Sequence, residues 1–142
     1  MPSLADGAAV ESALIAQLSG DATLHALMPD GVFIDLAPSG RTRFVIVSLE
    51  IHHDAYQFRS AAFEEATYLV KAVERSTSPS NANDAAARIH ELLEDVALTI
   101  DGYTHMVTER LERVVYTDVD PENQDTRWQH RGGRYAVWVS PP

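Results

Sequence analysis

The stretch from Arg43 to Ile51 constrains this chain more than any other. Val45, Val47, Leu49 and Ile51 alternate with Ser48 and Glu50, so a strand here turns one apolar face inward and one polar face outward. A strand of this kind needs partners in a sheet and a layer to cover its apolar side. The longest apolar run, Phe44 to Val47, suits a strand and is far short of the ~20 residues that span a bilayer.

The rest of the chain supplies both. Asp6 is placed to cap a helix carrying Ala9, Val10, Ala13, Leu14 and Leu18, which Ser19-Gly20 ends. Asp21 caps a second short helix with Leu24, Leu27 and Met28, broken by Pro29-Asp30-Gly31. Val32 to Leu36 reads as a short strand before an Ala37-Pro38-Ser39-Gly40 turn, and His52 to Ser60 as a polar loop or hairpin connection. Phe63 to Arg75 fits two patterns: Phe63, Ala66, Leu69, Val70 and Val73 at helical spacing, or Ala66, Tyr68, Val70 and Ala72 on one strand face.

After the Ser76–Asn81 breaker, Asn83 caps a helix running to about Ala97, with Ala86, Ile89, Leu92, Leu93 and Val96 as its apolar stripe. Thr104 to Asp118 is a long strand of mixed alternation. Asp120 to Asp125 is an acidic loop, and Thr126 to Val139 a final strand with Gly132-Gly133 as a bulge, bend or hairpin tip. The expected fold is α+β: a mostly antiparallel sheet of four to five strands flanked by two main helices, in one domain spanning 1–142.

The chemistry-bearing residues form no recognisable motif. Nucleotide-binding glycine loops, zinc-protease and nucleophile-elbow patterns are all missing. His52-His53-Asp54 invites a metal reading, but adjacent side chains on a strand point to opposite faces. His105 and Glu109 share a strand face about 13 Å apart, and His90 lies at the edge of its helix's apolar stripe. No catalytic residue, cofactor site or metal site is expected. The chain has no cysteine, so disulfide and thiolate chemistry are excluded. Its start lacks a basic and then apolar leader, so no signal peptide is expected.

Net charge is −10, which disfavours wrapping nucleic acid but lets DNA pass nearby without sticking. Ten of the eleven basic residues are Arg, and Lys71 is the exception. Arg suits planar, partly desolvated pairing at protein interfaces, and a GC-rich genome produces the same bias. Trp128, Tyr135 and Trp138 in the final strand read as core aromatics on one face, with Arg127, Arg131 and Arg134 on a face free for a protein contact. The two tryptophans share parity and fall together if the strand is unbroken.

Several of these segments, in this order, resemble the tail terminator (tail completion) proteins of long-tailed phages, prophages and gene transfer agents. They are the opening Val10–Leu18 helix running into Asp21–Leu27, Gly31-Val32-Phe33 leading through Pro38 to Phe44–Val47, the helix ending Ile89-His90-Glu91-Leu92-Leu93, Leu98–Tyr103, and the close Arg131…Tyr135-Ala136-Val137-Trp138-Val139. The resemblance spans roughly Val10 to Val139 and favours a strand over 63–75. It implies a non-enzymatic virion protein, assembled in the host cytoplasm and resident in the tail or neck. It implies a homo-oligomeric, hexameric ring that docks on the major tail tube protein, stops tube growth and meets the head–tail connector or head-closure protein, with DNA passing through the lumen. On that reading the loops 52–60 and 118–127 are docking elements, contributing His52, His53, Tyr56, Phe58 and Arg59, while Arg110, Arg113, Arg127, Arg131 and Arg134 face a neighbouring subunit. Other neck components, such as a head-closure or head–tail adaptor subunit, share the pattern's class. A small-molecule-binding domain would need a pocket of converging polar groups.

Overall fold

The computed structural model describes residues 8–57 and 60–140, with side chains left aside at 53–57 and 60–62. The elements are α1 (Ala8–Ser19), α2 (Ala22–Leu27), β1 (Val32–Ile34), β2 (Arg43–Gln57), β3 (Ser60–Arg75), α3 (Ser80–Leu93), β4 (Thr104–Val119) and β5 (Arg127–Ser140). The strands form one sheet in the order β1-β2-β3-β5-β4, antiparallel except for the β1–β2 pair. This is the α+β architecture expected. The open choice at 63–75 resolves as strand, with Ala66, Tyr68, Val70 and Ala72 fully buried on one face.

All three helices pack on that face. Val10, Leu14 and Leu18 of α1, Leu24 of α2, and Ala85, Ile89 and Leu93 of α3 share a core with Val45, Val47, Tyr68, Val70, Tyr135, Val137 and Val139. Burial of each large apolar side chain stabilises the fold by about 1.5–3 kcal/mol before entropy is counted. Among the described residues, the opposite face carries no helix. Asp21 Oδ2 accepts the Leu24 N–H at 2.9 Å, the expected cap of α2. Asp6 lies outside the described residues.

Several boundaries differ from expectation, each for a local reason. The alternation of β2 breaks at Glu50, where the register with β3 shifts between Leu49 and Ile51; Ile51 therefore leaves the core face and is exposed. The expected loop from His52 is strand instead: β2 continues to Gln57 and pairs with Ser60, so the β2–β3 connection is short. This hairpin extends past its neighbour, because β5 pairing of β3 begins only at Glu64. A strand pair without a covering layer has no apolar alternation to betray it.

Helix α3 starts at Ser80, four residues earlier than a cap at Asn83 implies, with Pro79 in the cap position and no side-chain cap. The Asn83 side chain instead accepts a hydrogen bond from Arg131 Nε at 3.1 Å. The helix stops at Leu93, short of Ala97, because Asp95 takes a left-handed backbone (φ 55°). Asp35, also left-handed (φ 64°), ends β1 before Leu36.

Gly132 and Gly133 form neither bulge nor hairpin tip. They lie mid-strand in unbroken register with Lys71 and Val70. A Cβ on Gly132 would collide with the Val70 carbonyl oxygen and sit 2.5 Å from Lys71 Cα, so the residue is glycine because the backbones touch. The irregularities fall in β4 instead, at Met106 and Leu111.

Candidate functional site

Strand parity sorts the arginines into two groups. Arg110, Arg113 and Arg131 line one groove of about 420 Å³ between α3 and β4, together with His90, Asn83 and Glu91. Arg131 is anchored there by Asn83 Oδ1, the Tyr116 carbonyl (2.8 Å) and Gln129 Oε1 (3.3 Å). Arg127 lines an adjoining groove with Arg131, Thr77, Asp120 and Gln124. These four lie on the helix side of the sheet. Arg134 has the opposite parity and lies on the helix-free face, held by Glu50 Oε1 (2.7 Å) and Glu112 Oε1 (2.5 Å). The five expected together are thus four and one.

The histidines are also distributed. His52 faces buried Glu64 at 3.3 Å. His53 and Tyr56 lie in β2 with side chains outside the description, and Phe58 and Arg59 lie outside the described residues. His90 Nδ1 is 3.2 Å from the Tyr135 hydroxyl, whose pKa burial pushes up to about 12. His105 does not share a face with Glu109 as expected, since the extra residue at Met106 flips the strand between them. Its Nδ1 accepts the Leu98 N–H at 3.1 Å, so Nε2 carries the proton donated to Thr108 Oγ1 at 2.8 Å. Burial lowers its pKa. Among the described residues, no three His, Asp or Glu side chains converge as a metal cage.

The sequence reading missed the helix-free face. Trp128 and Trp138 do fall on one face, but it is this one and not the core. Trp128 packs at 6.3 Å from Phe44, and Trp138 at 5.4 Å from Phe63. His130 stacks on Tyr116 at 4.2 Å and bonds Asp118 at 3.0 Å, while Lys71 Nζ bonds the Tyr116 hydroxyl at 2.6 Å. Burial first, then the Lys71 charge, lowers the His130 pKa against the pull of Asp118. The 35–41 loop overhangs this patch and leaves a groove of about 360 Å³. The parity of Phe44, Lys71, Trp128 and His130 was the available signal; the pairing that brings them together was not.

Arg and aromatic side chains are enriched where proteins meet, so the arginine-lined grooves and the Trp128–Phe44 patch suit contact with another protein. The fold has solved counterparts. A chain in the virion of a native gene transfer agent (GTA) particle superimposes with a TM-score of 0.70 at 23% identity, over 96% of this chain and 99% of that one. Another solved chain gives 0.54 at 14% identity, over 96% and 95%. No curated protein sequence matches. These likenesses define the fold class: an α+β protein built on one mostly antiparallel sheet. The chain belongs to the tail completion protein gp17 family, which it matches over residues 12–140. It is a structural protein of a phage-type virion tail.

Proposed function

We propose that the chain is a tail terminator, a subunit of a hexameric ring that seats on the last ring of tail tube protein. The ring stops tube growth and presents its other surface to the head–tail connector or head-closure protein. DNA passes through its lumen without specific contacts, in keeping with a net charge of −10. The observation that carries this reading is family membership over residues 12–140.

The geometry supports the division of labour. The β2–β3 hairpin reaches beyond the sheet and serves as the docking arm, with His52, His53 and Tyr56 on it and Phe58 and Arg59 at its connection. The 118–127 connection is the second docking element. Arg110, Arg113 and Arg127 offer planar, bidentate cations to acids of a neighbour; Arg131 and Arg134 are already held within the chain. Acidic self-repulsion holds free subunits apart, and the area buried on a tube end overcomes it.

Loss of the gene should give overlong tails in electron micrographs. Leaking heads beside tails of normal length would overturn the reading. In solution, size measured with and without tail tubes should show rings formed on tube ends. Reversal of Arg113 and Arg127 to Glu isolates the arginine role, since Arg131 also ties strands together; intact ring formation by that variant removes it.

A further inference from the structure

The 35–41 loop and the sheet beneath it enclose the groove of about 360 Å³ on the helix-free face. Its floor is apolar. Ile46 and Val73 are buried there although, among the described residues, no helix covers this side, and Phe44 and Trp128 are partly exposed beside them. The loop is fastened at both ends. The Asp35 N–H donates to the Val47 carbonyl at 3.0 Å and the Leu36 N–H to the Ile34 carbonyl at 2.7 Å. Asp30 Oδ2 accepts the Thr42 and Arg43 N–H groups at 2.8 and 2.9 Å. Leu36, next after the left-handed Asp35, stands at the rim 83% exposed. A cleft held open in this way spares a partner part of the ordering cost of binding.

The groove also inverts the charge balance of the chain. The whole sequence carries 21 acids to 11 Lys and Arg, whereas the groove is lined by two cations, Arg41 and Lys71, and one acid, Asp35. Neither cation has a salt bridge among the described residues. Lys71 Nζ bonds the neutral Tyr116 hydroxyl, and Arg41 acts on Asp30 only through its field. We infer that this groove takes an extended, acidic–apolar segment of a partner protein, with an apolar side chain over Phe44 and Trp128 and carboxylates on Lys71 and Arg41. A cleft of this size is at the small end of ligand sites, so it admits a few side chains and not a packed helix. Beyond about 8 Å the net charge is screened at physiological salt, so the local cations decide what is held at contact. Nucleic acid is disfavoured, because Arg75 already lies over the Trp128 ring at 6.0 Å, where a base would stack. The site is separate from the β2–β3 hairpin and from the arginine grooves on the helix side, and it stands whether or not the chain forms a ring.

Lys71 is the only lysine in the chain, so zero-length coupling to an amine reports this site. The probe is an amidated heptapeptide of alternating glutamate and leucine with fluorescein at its N-terminus. It should bind the full chain, and a carbodiimide should join one of its carboxylates to Lys71 Nζ as an amide, located by mass spectrometry. Leu36→Ser and Arg41→Glu, both at exposed positions, should each weaken binding roughly fivefold or more, and added salt should weaken it in the wild type. Lys71→Arg keeps the charge and should bind as the wild type does while losing the adduct. No binding of the acidic peptide, equal binding of its lysine–leucine counterpart, or tighter binding of an oligothymidylate overturns the inference. So does an adduct confined to the N-terminal amine, or a product joining two copies of the chain through Lys71, which makes a second copy the occupant. Undiminished binding by both Leu36→Ser and Arg41→Glu moves the peptide elsewhere and removes the groove.

Discussion

Arg88 on α3 grips Asp21, 67 residues earlier, with Nη2 at 2.6 Å from Oδ1 and Nε at 2.9 Å from Oδ2. The same carboxylate caps α2. One side chain therefore starts a six-residue helix, too short to persist alone, and fastens it to the main helix.

Asp21→Ala should cost about 1–2 kcal/mol, the usual range for a lost cap. The Arg88 guanidinium holds this carboxyl down at about 2, from 3.8. A lowered carboxyl contributes stability above its unfolded value, and loses it as pH falls through the folded one. Urea midpoints should therefore drop between pH 3.8 and about 2 in the wild type, and less so in Asp21→Asn.

Gly132→Ala should destabilise by about 2 kcal/mol or more, because the added methyl meets backbone that cannot swing aside. Gly102→Ala is the contrast: nothing lies within 4 Å, and only the left-handed backbone (φ 79°) is strained, at about 1 kcal/mol. Thermal melts of the two variants should separate crowding from backbone strain.

His105 and His130 are both held neutral by burial, with pKa values below 6.5. Such groups stabilise the fold above 6.5, and the contribution is lost as pH falls through their folded values. Stability should decline below pH 6.5, with the slope reduced in His130→Gln. An NMR titration in which His130 protonates above 6.5 would contradict this.

Arg134→Ala should change stability by less than about 1 kcal/mol, since its two acidic partners are well hydrated. Arg134→Glu places a third carboxylate beside Glu50 and Glu112 and should cost more, a difference that added salt should shrink.

The parts of the fold legible in sequence were those where periodicity met an unbroken ladder. Val45, Val47 and Leu49 announced β2, and Ile89 and Leu93 announced α3. Bulges erased the signal elsewhere: Glu50 moved Ile51 out of the core, and Met106 and Leu111 made β4 look irregular. Arg127, Arg131 and Arg134 read as one group by composition, yet Arg134 has the opposite parity and faces the other way. The outer edges were illegible for a different reason. Which strands lie outermost is decided by β5 inserting between β3 and β4, a long-range choice that local pattern does not encode.

That insertion has a consequence for synthesis. Residues 127–140 leave the ribosome after every other strand, yet they form the seam that joins β4 to the rest of the sheet. A nascent chain halted before them has a hairpin and an orphan strand with nothing between. A chain cut short before residue 127 therefore cannot close the sheet, and β4 is left without its pairing partner.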